Sequence, residues 1–400
     1  MTNSFHEKLY DLSNKDEDFL QKLVDDQIEE SPNLEYKREL SSDNKEIAKD
    51  ISAFANANGG IIIYGIEEKD HKPKKLYPLQ AGLKEKIENI IISNTSPKLS
   101  VKIVPIDCSK PTGGQYYVIY ILKSPEGPHM IIGKKDYRYY KRWDFSSIPM
   151  EDYEIRESIE KNLKTRNDAL SVIKNRIVFF FDNFEQQKST TYLRLICIPI
   201  PIPNIELDNI DFKQFRKREY HMNSLLENHD FSNIKKGKMC EYGLLKSKDG
   251  NISDYQKNYL YIDEEGSIEY VRLGILYPTS NGVQLNTLYI IGDSLMGYMS
   301  FIKDFFQKNN ILCELLFYIE INNIKETILC DNPHFQSATY LKEHHLYTDN
   351  NWEDIKYYPS FKVFESPNDI IRYFADRIYK SYGYENCDRF IEKEGELLFR

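Results

Sequence analysis

The sequence lacks the cysteine spacing of a structural zinc site. Its six cysteines, at positions 108, 197, 240, 313, 330 and 387, are never closer together than 17 residues, so no Cys-x-x-Cys pair occurs. We therefore expect reduced and mostly buried thiols. Cys108 has no histidine placed to activate it, and we expect that thiol to be inert.

Long apolar runs are also missing. No stretch approaches the ~20 uninterrupted apolar residues that cross a bilayer, and Met1 opens onto a polar segment rather than a signal-peptide core. Hydrophobic residues nevertheless make up 41% of the chain, which is enough for folded cores and excludes global disorder. We expect a soluble, cytoplasmic protein with no membrane partner.

Basic side chains are outnumbered by acidic ones overall, but they are concentrated in one segment. The chain carries 53 basic and 62 acidic side chains, a net charge of −9, which excludes a basic protein that coats nucleic acid. Residues 1–68 carry 7 basic and 16 acidic side chains, whereas residues 69–142 carry 15 and 6. This segregation favours an anionic ligand held near carboxylates. The alternative left open is that the charges scatter along exposed loops.

The length of 400 residues predicts two domains. The mixture of predicted helices and strands predicts the α+β fold class. We expect residues 1–15 to be a flexible N-terminus, residues 16–165 a first domain, and residues 166–400 a second α+β domain. The second part contains predicted strands over residues 177–184 and 192–200. It shows no nucleotide-binding glycine motif and no nucleophile motif, so its role stays open between substrate recognition, sensing and oligomerisation.

The first domain begins with a helix–strand–helix–strand pattern. Apolar residues at helical spacing predict a helix over residues 16–30, and alternation of apolar and charged residues predicts a half-exposed strand over residues 34–38. A second helix follows an N-cap at residues 41–43 and ends before Gly59-Gly60. A buried strand over residues 61–66 then runs into Glu67-Glu68. We interpret residues 56–60 as structural, because glycine permits a sharp turn there.

Three carboxylates and a lysine flank these elements. Glu35 and Lys37 are two residues apart on a strand and point to the same face. Glu30 precedes that strand, and Glu68 ends the next buried strand. Three converging acids repel each other unless a divalent cation such as Mg²⁺ or Mn²⁺ neutralises them. Such a cation can generate a nucleophilic hydroxide that attacks a phosphate. Lys37 would bind an oxygen of that phosphate or stabilise the transition state. The alternative from spacing alone is a surface ion pair.

These residues resemble a known family. The similarity is carried by Glu30, Leu34–Lys37, Asp50–Gly60 with its SAFANANGG run, Ile63–Glu68, Tyr139–Arg142 and Met150-Glu151. Together they resemble the Schlafen core, the Alba-like domain of Schlafen proteins. The resemblance covers about residues 15–165 and implies a Schlafen-type Alba-like N-terminal domain.

The resemblance implies two kinds of activity. Animal Schlafens cut transfer and ribosomal RNA with a divalent metal held by three acids. By motif those acids are Glu30, Glu35 and Glu68, with Lys37 as the lysine; the third acid is usually Asp, and Glu68 reaches one methylene further. Many bacterial members are instead described as DNA-binding proteins or transcriptional regulators. Several bacterial relatives are linked to defence against phage.

Basic and aromatic residues supply the expected nucleic-acid contacts. The candidates are Lys72, Lys74, Lys75, Lys134, Lys135, Arg138, Tyr140, Lys141 and Arg142. Tyr137, Tyr139 and Tyr140 would stack on unpaired bases, although alternate tyrosines of a strand would equally face the core. We expect Trp143 and Trp352 to be packing residues.

Two functional hypotheses result. The first is an endoribonuclease that uses Mg²⁺ or Mn²⁺ with catalytic residues Glu30, Glu35, Lys37 and Glu68. It would act on structured RNA such as transfer RNA, in bacterial defence against phage, and would form a homo-oligomer. The second is a non-catalytic protein that binds DNA or RNA, or a transcriptional regulator, with the same domain.

Overall fold

A computed structural model describes most of the chain. The described residues are 16–109, 113–183, 191–200, 236–240, 243–247, 258–263, 266–279, 282–308, 311–330, 346–393 and 396–399. They divide into two compact units. The first extends to Asp168 and includes Leu312–Glu314, and the second comprises Ala169–Ile311 and Leu315–Arg400. The predicted flexible segment 1–15 lies outside the described residues.

The first unit mixes helices and strands. Its helices are α1 (Glu17–Asp25), α2 (Asn44–Asn56), α3 (Lys84–Asn94) and α4 (Asp152–Asn183), in which the unit boundary falls. Its strands are β1 (Leu34–Lys37), β2 (Gly60–Tyr64), β3 (Ile66–Lys69), β4 (Lys72–Leu76), β5 (Thr95–Ser96), β6 (Lys102–Asp107), β7 (Gln115–Ile121), β8 (Met130–Ile131), β9 (Arg138–Trp143) and β10 (Ser146–Pro149). The α+β fold class predicted from the sequence is confirmed.

A four-stranded sheet in the order β1-β2-β7-β6 forms the centre of this unit. Strand β1 pairs with β2 in parallel, and the other pairs are antiparallel. Side chains of alternate residues leave the sheet on opposite faces. Helix α1 packs against one face through residues such as Leu20 and Leu23. Helices α2 and α3 cover the other face through residues such as Ile51 and Ile90.

Helix α2 lies between two sheets. Its N-cap Asp43 accepts a hydrogen bond from the backbone N–H of Lys45 at 3.0 Å, as the capping prediction requires. Ile51 packs on the central sheet, while Ala48 packs with Tyr140 of β9. Strand β9 belongs to a second sheet of order β10-β9-β8-β5. Helix α2 is therefore buried on the side that faces each sheet, which explains why small residues such as Ala48 and Ala53 occur in it.

The turn from α2 into β2 depends on two glycines. Gly59 has φ +71°, and a Cβ there would lie 2.5 Å from the carbonyl oxygen of Ile121. A Cβ at Gly60 would lie 2.5 Å from the ring of Phe54. Nearby, Asn56 donates through Nδ2 to the carbonyl oxygens of His129 and Tyr140. The structural interpretation of residues 56–60 is confirmed.

The predicted strand over residues 177–184 is wrong, because helix α4 continues to Asn183. A short apolar run fits a buried strand and a helix equally well by periodicity, and its helical context decided the outcome. Phe184 lies outside the described residues. No helix within the described ranges is both long enough and apolar enough to cross a membrane.

The second unit has a seven-stranded sheet in the order β12-β13-β14-β15-β11-β18-β20. The described strands of the whole second unit, including those outside this sheet, are β11 (Tyr192–Ile200), β12 (Lys236–Cys240), β13 (Gly243–Ser247), β14 (Asn258–Asp263), β15 (Ile268–Leu273), β16 (Leu276–Thr279), β17 (Gly282–Asn286), β18 (Glu314–Asn322), β19 (Thr327–Cys330), β20 (Trp352–Pro359), β21 (Phe390–Lys393) and β22 (Glu396–Phe399). A π-helix (Leu288–Leu295) precedes α5 (Met296–Lys308), α6 (Ser360–Glu365) and α7 (Asn368–Ser381). The sequence-predicted strand over residues 192–200 is confirmed.

Charged side chains are buried within that sheet. Arg194 on β11 is fully buried, and it forms ion pairs with Glu269 and Glu320, each at 3.3 Å. Arg176 pairs with the same Glu269 at 2.7 Å. Paired in this way, the charges avoid the large cost of an isolated buried ion.

Candidate metal centre and nucleic-acid face

Two carboxylates and one imidazole meet at the surface of the first unit. One donor atom each from Glu30, Glu68 and His71 lies within 4.8 Å of the other two. The Glu30 side chain is 7% exposed and the His71 side chain is 50% exposed. The cluster is therefore anchored on its inner side and open to solvent on the other.

The β3–β4 hairpin places Glu68 and His71. Its two turn residues, Asp70 and His71, both have positive φ angles of 53° and 61°, as a tight two-residue hairpin turn requires. The backbone N–H of His71 donates to Glu68 Oε2 at 3.2 Å. The turn therefore holds the Glu68 carboxylate beside the histidine ring.

Glu30 is tied to the same hairpin and to β1. Its backbone N–H donates to the carbonyl oxygen of His71 at 2.8 Å. Its Oε1 accepts a hydrogen bond from the backbone N–H of Tyr36 at 2.8 Å, and its Oε2 lies 2.8 Å from His71 Nδ1. The hydrogen bond to Glu30 raises the pKa of His71 above its usual value.

The tip of the β9–β10 hairpin covers the histidine. The rings of His71 and Phe145 are stacked, with centroids 3.9 Å apart and planes 20° from parallel. This contact restrains the imidazole orientation, which a metal ligand needs.

The donor set fits a divalent cation. Carboxylate oxygens suit Mg²⁺ and Mn²⁺, and an imidazole nitrogen is a common ligand of transition metals. Of the two predicted ions, Mn²⁺ is the better match to a mixed oxygen and nitrogen set. Glu30, Glu68 and His71 are the described residues that would hold it.

Glu35 does not join this cluster, so the structure does not bring the three predicted acids together. Alternation along β1 sends Leu34 and Tyr36 to the α1 face and Glu35 and Lys37 to the α2 face. There Glu35 lies 2.5 Å from Lys37 Nζ and 2.8 Å from Arg142 Nη1. Glu35 is 6% exposed, so the predicted half-exposed strand is in fact buried at this position.

Asp50 of α2 completes that second cluster. It lies 3.4 Å from Lys37 Nζ and accepts a hydrogen bond from Ser147 at 2.9 Å. Burial raises the pKa of Glu35, while the positive charges of Lys37 and Arg142 oppose that shift. Burial lowers the pKa of Lys37, but Asp50 and Glu35 more than offset it and the net shift is upward. Lys37 and Asp50 also line an open cleft of about 610 Å³.

Two of the predicted nucleic-acid contacts are wrong. Tyr140 is buried against α2 and donates its hydroxyl to Asp136 at 2.7 Å, so it cannot stack on a base. Arg142 is buried over the ring of Phe54 and paired with Glu35, so it cannot reach a phosphate. Both residues occupy the inward-facing positions of β9, which the sequence pattern could not distinguish from the outward-facing ones.

The other predicted basic residues lie at or near the surface, and several have acidic partners. Lys72 pairs with Glu29, Lys134 with Asp43, and Lys141 with Glu154. Lys74, Lys75, Lys135 and Arg138 are exposed. Of these four, Arg138 also pairs with Asp136 at 3.6 Å.

Sequence reasoning missed His71, Asp50 and Phe145. His71 had no metal-ligand spacing to a second histidine or cysteine. Its role depends on a hairpin turn that brings it back to Glu30. Phe145 follows an ordinary strand exit, and no sequence pattern connects it with residue 71.

Comparison with known proteins gives a family match within the first unit. Residues 30–151 match the family model described as Schlafen, AlbA_2. No curated protein matches the chain. Among solved structures, the chain is similar to the DIP2311 protein from Corynebacterium diphtheriae at 15% identity and a TM-score of 0.24. That match covers 34% of this chain and only 30% of the other.

The family match starts at Glu30, ends just past Met150, and contains every residue of both charged clusters. Schlafen AlbA_2 domains belong to nucleic-acid-binding and nuclease proteins, so a nucleic acid is the general class of partner. The N-terminal part of this chain carries a Schlafen AlbA_2 domain.

Proposed function

We propose that this chain is a divalent-metal-dependent endoribonuclease. The observation that carries the proposal is the convergence of Glu30, Glu68 and His71, whose donor atoms lie within 4.8 Å of one another on an exposed surface. Carboxylates alone would repel a phosphate backbone. A cation-binding cluster within a nucleic-acid domain therefore supports chemistry at a phosphodiester bond.

Each residue has a defined part in this proposal. Glu30, Glu68 and His71 would hold Mn²⁺ or Mg²⁺, and the cation would supply a water of lowered pKa and stabilise charge on the phosphate. The backbone N–H of Tyr36 and the ring of Phe145 keep Glu30 and His71 oriented.

Exposed lysines of the same β3–β4 hairpin supply phosphate contacts in this proposal. Lys74 and Lys75 lie on β4, which pairs with the strand that carries Glu68. Glu35 and Lys37 have a structural part here, because they pair with each other, Glu35 also pairs with the buried Arg142, and Lys37 also pairs with Asp50.

The substrate and the biological role follow from the resemblance to Schlafen proteins. Structured RNA, with transfer RNA first, is the proposed substrate, and defence against phage is the proposed role. A homo-oligomer is the proposed assembly, and light scattering on the purified chain tests it.

A second candidate is a non-catalytic protein that binds DNA or RNA. One observation favours it: Glu35, the middle acid of the family motif, is neutralised by Lys37 and Arg142 instead of facing Glu30 and Glu68. A protein that only binds nucleic acid needs no third ligand acid.

One experiment separates the two candidates. The purified chain is incubated with bulk transfer RNA and with single- and double-stranded DNA, in Mn²⁺, in Mg²⁺ and in EDTA. We expect RNA cleavage that requires metal and is lost in Glu30→Gln and Glu68→Gln. Glu67→Gln is the matched control, because Glu67 is the neighbouring acid and pairs with Arg38 at 3.2 Å.

Cleavage retained by Glu68→Gln would contradict the proposed site. Gel-shift binding in EDTA with no cleavage in either metal would favour the second candidate. Binding and cutting of DNA but not RNA would overturn the ribonuclease assignment.

A further inference from the structure

Strand β9 presents an aromatic and cationic outer face. Tyr140 and Arg142 point inward and are buried, so Tyr139, Lys141 and Trp143 share the opposite face. Trp143 is 65% exposed, so the prediction that it is a packing residue is wrong. Tryptophan is among the most hydrophobic side chains by area, and an exposed one is a common feature of binding surfaces.

A cation accompanies the indole ring. Lys141 Nζ lies 4.8 Å from the centroid of the Trp143 ring, and Lys141 also pairs with Glu154. Beyond this contact most of the Trp143 side chain stays open to solvent. Flat apolar area beside a positive charge complements a ligand that has both a planar base and a negative phosphate.

The hairpin fixes Trp143 next to the candidate metal centre. Trp143 pairs with Ser146 across the β9–β10 turn, and Phe145 within that turn stacks on His71. The turn residue Asp144 has φ +51°, as a tight turn requires. Trp143 is therefore two residues away from Phe145, whose ring contacts the candidate metal ligand His71.

The charge balance along this part of the sequence favours nucleic acid as the occupant. Residues 69–142 carry 15 basic and 6 acidic side chains, and Arg138 at the other end of β9 is exposed. A base in a duplex is already stacked on its neighbours and cannot cover an indole ring. An unpaired base can do so.

We propose that Trp143 is a stacking platform for an unpaired base of an RNA strand that runs along the outer face of β9 towards the Glu30–Glu68–His71 cluster. This inference rests on the proposed function for its ligand class. It extends that function by specifying a single-stranded region next to the bond that is cut.

The chain offers a direct spectroscopic test, because Trp143 and Trp352 are its two tryptophans. In Trp352→Phe the remaining tryptophan fluorescence comes from Trp143. We expect titration with single-stranded oligouridylate in EDTA to quench it, since stacked bases quench indole emission. The duplex formed with oligoadenylate should quench it much less.

Affinity variants give a second readout. Trp143→Leu should weaken oligouridylate binding by about 5- to 100-fold, and Trp143→Phe by less, because stacking on a single base accounts for that range. Ile92→Ala is the control, since Ile92 is a 42% exposed apolar side chain but lies on α3. Circular dichroism checks that each variant is folded.

Unchanged binding by a folded Trp143→Leu protein would overturn the inference, and so would an equal loss in Ile92→Ala or equal quenching by the duplex. The outcomes separate the two proposals. Quenching without metal-dependent cleavage would support the platform and contradict the nuclease. Normal cleavage by Trp143→Leu would support the nuclease and contradict the platform.

Discussion

Arg142 Nη1 and Glu35 Oε2 lie 2.8 Å apart, with the guanidinium 4.7 Å from the centroid of the Phe54 ring. The pair joins β9 of the second sheet to β1 of the central sheet beside helix α2. Its two side chains are only 2% and 7% exposed. The sequence predicted Glu35 as a metal ligand and Arg142 as a nucleic-acid contact, but in the structure the two residues hold the sheets together.

Breaking this ion pair should destabilise the first unit strongly. Glu35→Gln removes the carboxylate that lies 2.8 Å from the buried Arg142, so it should cost about 3 to 5 kcal/mol, or about 10 °C in Tm. Arg142→Met should cost less, because Glu35 keeps Lys37 at 2.5 Å. Replacing both residues together should cost less than the sum. Differential scanning calorimetry of the two single variants and the double variant measures this coupling, and strictly additive losses would contradict it.

Metal binding should depend on His71 even without substrate. His71→Asn keeps a polar side chain but removes the ring that faces Glu30 and stacks on Phe145. We expect Mn²⁺ affinity to fall by about 10-fold or more, because losing a ligand lowers metal affinity at least as much as losing a side chain that hydrogen-bonds to a ligand. Titration calorimetry with Mn²⁺ alone measures it. An unchanged affinity in His71→Asn, alongside a lower one in Glu68→Gln, would remove the histidine from the site.

Stability should depend on pH through Glu17. Hydrogen bonds from Ser109, together with those from Tyr116 and Cys108, lower the pKa of Glu17 from 4.5 to about 2. A carboxyl whose pKa is lower in the folded state stabilises the fold above its unfolded pKa and loses that effect as the pH falls. Glu17→Gln should therefore reduce Tm most at neutral pH. The Tm difference from wild type should shrink as the pH falls from 4.5 to about 2.

Glu39→Gln is the control for that series, since Glu39 is an exposed acid of the same unit. A Tm difference for Glu17→Gln that stays constant from neutral pH to about pH 3 would contradict the role of the ionised carboxylate.

Alanine at Gly59 should be costly. The residue has φ +71°, and its Cβ would lie 2.5 Å from the Ile121 carbonyl oxygen, a backbone atom that cannot move aside. We expect a loss of about 2 kcal/mol or more from the combined strain and overpacking. Gly82→Ala separates these effects, because Gly82 has φ +81° but nothing within 4 Å of a Cβ. Equal losses in thermal unfolding would show that the backbone angle alone decides.

Much of the first unit could be predicted from local sequence. The Asp43 cap, the apolar stripe of α2, the Gly59-Gly60 turn and the strand after it are all local signals. Each depends on neighbours a few residues away, so no long-range contact was needed to find them. The similarity to Schlafen proteins also came from this local series of motifs.

The grouping of the site residues depended on tertiary structure. Glu30 and Glu68 were identified from the sequence, but their third partner is His71 and not Glu35. The same distinction applies on β9, where Trp143 is exposed and Tyr140 is buried.

The sequence by itself determined the first helix–strand–helix–strand pattern of the first domain, its family resemblance, and Glu30 and Glu68 of the candidate metal centre, because periodicity, caps and motifs are short-range properties. Only the tertiary structure decided which of those residues face each other. The direction of a strand side chain becomes meaningful once the strand is paired and one face is covered by a helix. Helix α2 covers Glu35 and Arg142, and the β3–β4 turn brings His71 back to Glu30.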